Sequence, residues 1–95
     1  KVVFKGTKPL PSLGQGGASW YRHLPGNFAA HRTLPFGSKV LVRSVAFPDR
    51  TVIVTINDRG PYIDGRIIDL QAEAFLKLAP LGAGVVQVRV ESLDD

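Results

Sequence analysis

Val86, Val88 and Val90 alternate with Gln87, Arg89 and Glu91 in the stretch VVQVRVE, residues 85–91. A period of two places the valines on one face and the polar residues on the other, which predicts a half-buried strand. Two earlier runs, KVLVRSV at 39–45 and RTVIVTIN at 50–57, are rich in β-branched residues and are joined by AFPD, whose Pro-Asp step suits a turn. They predict a hairpin with Val52, Val54 and Ile56 inward. Residues 18–21, ASWY, read as extended because of their aromatic pair. Ala72, Phe75, Leu76 and Ala79 recur instead at helical spacing, which predicts a short amphipathic helix over 71–79, closed by Pro80 and packed through Phe75 and Leu76. The long stretch RHLPGNFAAHRTLPFGSK between residues 22 and 39 carries two Leu-Pro steps and reads mostly as loop. Several short strands with one crossover helix make a β-rich barrel.

Composition narrows this picture. Ninety-five residues, 44% of them hydrophobic, suffice for one core and one domain. The Gly/Pro/Ser-containing segment 1–13 reads as an N-terminal tether, and the domain is expected over 14–95. With no cysteine there is no disulfide or zinc framework, and no metal or cofactor is expected. No run approaches the ~20 apolar residues of a membrane-spanning helix. The net charge of +4 favours anionic partners. Its Lys and Arg residues are dispersed, however, without the interleaved aromatics of a nucleic-acid surface, so nucleic acid is not the expected partner.

Candidate chemistry concentrates in TINDRGPYIDGRIIDL, residues 55–70. Asp58 follows an apolar strand and precedes Arg59-Gly60-Pro61, where a carboxylate can serve as general acid or simply shape a turn. Asp69 lies two residues before the helical pattern, where it can be a second carboxylate or a helix cap. His31 offers a donor and an acceptor near neutral pH. Tyr21 and Trp20 are candidate platforms for sugar rings, with alternation turning one of them inward and Tyr21 favoured at the groove. Arg59 and Arg66 flank the carboxylates and can pair with them or hold anionic groups of a ligand.

Four blocks, GGASWY at 16–21, AAHRTLPFGSKV at 29–40, INDRGPYIDGRIIDL at 56–70 and GAGVVQVRV at 82–90, stand in the order found in the rare lipoprotein A-like double-psi β-barrel family, which this chain resembles over residues 16–91. The resemblance implies a six-stranded double-psi β-barrel with one short crossover helix. It also implies lytic transglycosylase action on peptidoglycan, cleaving the glycan strand to leave 1,6-anhydro ends, in the periplasm, at the cell wall or as a secreted monomer. A lipid anchor on a precursor is compatible with it. In the family the acid is the aspartate of the DRGP block, here Asp58, supported by the histidine of the AAH block, here His31. Related glycan-cutting barrels use the aspartate equivalent to Asp69. The family's glutamate, in the loop before AAH, has no counterpart: RHLPGNFAA, residues 22–30, contains no acidic residue. This departure keeps a second reading in play, a non-catalytic, expansin-like polysaccharide-binding module.

Overall fold

The computed structural model describes residues 10–23 and 25–93. Six strands, β1 Ser12–Tyr21, β2 Phe28–His31, β3 Lys39–Ser44, β4 Thr51–Asp58, β5 Arg66–Gln71 and β6 Val86–Ser92, close into a barrel in the order β1-β5-β2-β4-β3-β6. The pairs β1/β5 and β2/β4 are parallel and the remaining four are antiparallel. Exchanging the first three strands for the last three maps β1/β5 onto β2/β4 and β1/β6 onto β3/β4, and β2/β5 and β3/β6 onto themselves, with sense preserved. The two halves therefore interlock about an approximate two-fold axis through the β2/β5 pair, which is the double-psi arrangement.

The interior is filled from all six strands. Ala18, Ala29, Val42, Val54, Ile56, Ile68, Leu70, Val88 and Val90 are fully buried, and Phe75, equally buried, belongs to the same core cluster. Small residues stand where strands crowd. A Cβ on Gly16 would come within 2.8 Å of Ile67 Cγ2, and one on Gly17 within 3.1 Å of the Gly65 carbonyl, so these glycines let the start of β5 lie directly against β1. The Gly17 amide donates to that carbonyl at 2.8 Å.

The expected hairpin is β3/β4, in register from Lys39↔Thr55 to Arg43↔Thr51. Four expectations are corrected. First, β2 arises inside the stretch read as loop, because FAAH pairs on both sides, with β4 and β5. Second, RIIDLQ is a strand and not a helix entry: Ile68 and Leu70 face the core while Asp69 and Gln71 face out. Third, the helix, α1 Ala72–Phe75, is a single turn, after which the Lys77 and Leu78 amides bond three residues back to Ala74 and Phe75. That tightening turns Leu76 out, to 55% exposure, and brings Leu78 in at 2%. Fourth, Glu91 is buried and not on a solvent face. Its carboxylate accepts from Arg43 Nε at 2.8 Å and Arg89 Nε at 3.1 Å, so the two guanidinium groups replace the water it would otherwise need. At the N-terminus β1 begins at Ser12, ahead of the expected domain start at Gly14, and the Pro11 carbonyl accepts from the Ser92 amide at 2.8 Å. The rest of the expected tether, residues 1–9, lies outside the described residues.

Candidate active site

Register builds the site. Ala30 on β2 pairs with Asp58 on one side and with Asp69 on the other, and Asp69 pairs in turn with Ser19 on β1. Directly paired residues project to the same face of a sheet. Ser19, Asp69, Ala30 and Asp58 thus form one row across four strands on the outside of the barrel, opposite the core face of Ala18, Ala29 and Leu70. The pseudo-two-fold axis exchanges Ser19 with Asp58 and Ala30 with Asp69. Ala30 contributes only a methyl group, which leaves the centre of the row low. Tyr21 and Gln71, two residues beyond Ser19 and Asp69, continue the same face.

The electrostatics follow from this placement. Burial raises the pKa of Asp69, and the negative charge of Asp58 adds to the rise. The Ser19 hydroxyl, donating to Asp69 Oδ1 at 3.0 Å, and the charge of Arg66 oppose it. Burial also raises the Tyr21 phenol, and both Asp58 and Asp69 contribute, which puts the ring beside both carboxylates. Asp58 is exposed and its Oδ1 accepts from the Arg59 amide at 2.8 Å. Gly60, at φ 121°, turns the chain sharply just past it, in a conformation that side chains disfavour.

His31 ends β2, one residue past Ala30. Its Nδ1 accepts from the Thr33 and Leu34 amides, each at 3.1 Å, so the ring proton resides on Nε2, which is left as a donor. Burial, then the charges of Arg59 and Arg32, lower its pKa and favour the neutral ring. The ring thus shapes the loop through Nδ1 and keeps Nε2–H as its remaining donor.

Arg59 does different work from that expected, and Arg32 joins it. Arg59 does not pair with a carboxylate through its guanidinium, which instead donates from Nη1 to the carbonyls of His31, at 3.1 Å, and Leu34, at 2.7 Å, and lies 4.2 Å over the Phe36 ring. It ties the loop after β2 to the loop after β4. Arg32 braces the second loop from the other side, with Nε bonded to the Pro61 carbonyl at 2.5 Å and Nη2 to that of Ile63 at 3.3 Å. Arg66 keeps its expected place beside Asp69. Trp20 is a wall and not a platform: it packs against the core and donates from Nε1 to the Leu81 carbonyl at 2.9 Å. Asp69 makes no cap, since α1 begins with no side-chain cap bond.

Ser19, Ala30, Arg32 and Gln71 escaped sequence reasoning. The signal for Gln71 was present: Ile68 and Leu70 alternate with Asp69 and Gln71 at period two, which marks a strand. Among the described residues no group of His, Asp and Glu side chains could hold a metal ion.

A closed double-psi barrel carrying two carboxylates on one outer row defines a class of protein, and the comparisons specify it. A family model described as lytic transglycolase matches residues 14–90. The chain belongs to that family, the rare lipoprotein A-like double-psi barrels. It is 41% identical to the endolytic peptidoglycan transglycosylase RlpA of Vibrio cholerae, over 94% of this chain and 38% of that protein. It is 54% identical to the enzyme of the same name from Pasteurella multocida, over 66% of this chain and 21% of that protein. The chain thus spans well under half the length of these relatives. Among solved structures, a point mutant of Clavibacter michiganensis expansin in complex with cellohexaose shares the fold, with a TM-score of 0.69 at 19% identity over 85% of this chain and 50% of that one. The Streptomyces papain inhibitor matches with a TM-score of 0.63 at 28% identity, over 86% of this chain and 96% of that one.

Proposed function

We propose that this domain cleaves the β-1,4-linked glycan strand of peptidoglycan as a lytic transglycosylase, outside the cytoplasm, in the periplasm, at the cell wall or as a secreted protein. The observation that carries the reading is the row Asp58–Ala30–Asp69, which holds two carboxylates on either side of a low, methyl-floored centre. Asp58, exposed to an arriving ligand, donates a proton to the glycosidic oxygen as its bond to the anomeric carbon breaks, the reactive state being the one in which Asp58 holds the pair's single proton and Asp69 is ionised. The sugar's own 6-hydroxyl closes on that carbon, and Asp69 takes the hydroxyl proton. One proton leaves the pair and one returns, so no water is consumed and a 1,6-anhydro end forms. A raised pKa makes Asp69 a better base than an ordinary aspartate, and the Ser19 bond fixes the orientation of its carboxylate. Tyr21 lines the groove beside both acids, whereas His31, which pairs with core-facing Ile68, stands outside the row and serves by holding the loop after β2. The chemistry needs no cofactor.

Incubation with purified peptidoglycan, followed by mass spectrometry for anhydro-ended fragments, tests the proposal. Wild type should release them and Asp58→Asn should not, with its thermal midpoint retained. A second reading is favoured by one observation, the absence of any acidic residue in 22–30: the domain then holds glycan without cutting it. Sedimentation of wild type with the wall without release of anhydro ends would select that reading.

A further inference from the structure

Past Tyr21 the outer face leads to a pocket of about 330 Å³, lined by Arg22, His23, Pro25, Gln71, Ala72 and Glu73. Gln71 is only 2% exposed. Its Oε1 accepts from the His23 amide at 3.2 Å, which fixes the end of the side chain that carries oxygen. The other end, Nε2, is buried with no hydrogen-bond partner among the described residues. A buried donor left unmade is unfavourable and is relieved by any group that supplies an acceptor. Glu73 provides the complement. One of its carboxylate oxygens accepts from the Gly26 amide, and the other engages no donor among the described residues. The Arg22 guanidinium lies 5.4 Å over the Trp20 ring, so the pocket has its own cation and anion and is not built for a free anion.

An uncharged donor and an acceptor in one small pocket match a secondary amide, whose carbonyl takes the Gln71 proton and whose N–H gives one to Glu73. Gln71 sits two residues from Asp69 on the same face of β5, roughly 7 Å along the strand. We infer that Gln71 and Glu73 form an amide-reading subsite, which binds the 2-acetamido group of an amino sugar next to the ring at the carboxylates. The inference rests on the glycan reading above and adds the residues that distinguish an N-acetylated strand from a plain glucan.

The test is an NMR titration with tetra-N-acetylchitotetraose and with cellotetraose. In wild type the Gln71 side-chain amide signals should move with the N-acetylated probe, which should bind more tightly than cellotetraose. Gln71→Glu keeps an acceptor for the His23 amide and replaces the Nε2 donor with a carboxylate oxygen that repels a ligand carbonyl, and it should weaken the N-acetylated probe at least about tenfold while leaving cellotetraose unchanged. Equal binding of the two sugars by wild type, binding of neither, or undiminished N-acetyl binding by a folded Gln71→Glu would overturn the subsite. Should that variant fail to fold, the wild-type selectivity and the Gln71 signals decide alone. Release of anhydro ends is scored separately. Selective binding through Gln71 without anhydro products refutes cleavage and keeps the subsite, whereas products without that selectivity do the reverse.

Discussion

Asp58 and Asp69 stand two strands apart, on β4 and β5, and both pair with Ala30 of the strand between them. Their backbones are separated by two inter-strand spacings, roughly 10 Å, and each is close enough for the charge of Asp58 to raise the pKa of Asp69. The proposed mechanism gives the two acids distinct roles, which substrates with different leaving groups can separate. A nitrophenyl glycoside departs without a proton. Asp58→Asn should therefore regain much of its activity on such a substrate, and Asp69→Asn, which lacks the base, should not. Recovery by Asp69→Asn alone would exchange the roles.

The pH profile should follow Asp69. Its carboxyl must be unprotonated to act as base, and burial raises its pKa, so the limb of kcat/KM that Asp69 sets should lie above the ordinary aspartate range. Ser19→Ala removes the hydrogen bond that opposes the rise and should move the limb further up. Stability has the opposite sign. A folded-state pKa above the unfolded one means that protonation favours the fold, and this contribution is present below the unfolded pKa and lost as pH rises through the folded value. At neutral pH Asp69→Asn should equal or exceed wild type in thermal midpoint while losing activity.

The turn after α1 makes a packing prediction. Leu78→Ala should cost about 2–5 kcal/mol and Val88→Ala about 1–3 kcal/mol, by lost burial and an incompletely collapsed cavity. Leu76→Ala should change stability by no more than about 0.5 kcal/mol, since its side chain faces solvent. Urea midpoints of the three variants check the order, and a large Leu76 effect would restore the longer helix.

Glu91→Ala should cost about 3 kcal/mol, because it leaves two guanidinium groups facing a buried, emptied position. The side chains of Arg43 and Arg89 keep 11% and 30% exposure, which lets water relieve part of the loss. The combined change Arg43→Met, Glu91→Leu should recover much of it. Chemical denaturation of both variants measures the difference.

The strands with clean alternation were legible in the sequence: Val52, Val54, Ile56, Val88 and Val90 lie inside as their spacing requires. Two strands were not. FAAH is too short, and too poor in β-branched residues, to signal itself, and it is extended because β4 and β5 claim its backbone from both sides. RIIDLQ was obscured by the helical spacing that follows it, and that spacing in turn overstated a helix of one turn. At the site, Asp58, Asp69, His31 and Tyr21 could be named from residue type and family blocks. The row that joins the two aspartates through Ala30, and leaves His31 outside it, could not, because it depends on strand pairings that leave no periodic mark. Ser19 and Ala30 are ordinary residues whose importance comes entirely from their neighbours.

Ser19, Ala30, Asp58 and Asp69 belong to four different strands, and the Ser19–Asp69 bond alone spans 50 positions of chain. No fragment, and no partly zipped barrel, can present this constellation. Its appearance is all-or-none with closure of the ring, so on the proposed function a polypeptide in transit or locally opened leaves the wall untouched. Recovery of the proposed cleavage after dilution from denaturant would accordingly trace completion of the chain's long-range pairings, and the groove would double as a reporter of completed folding.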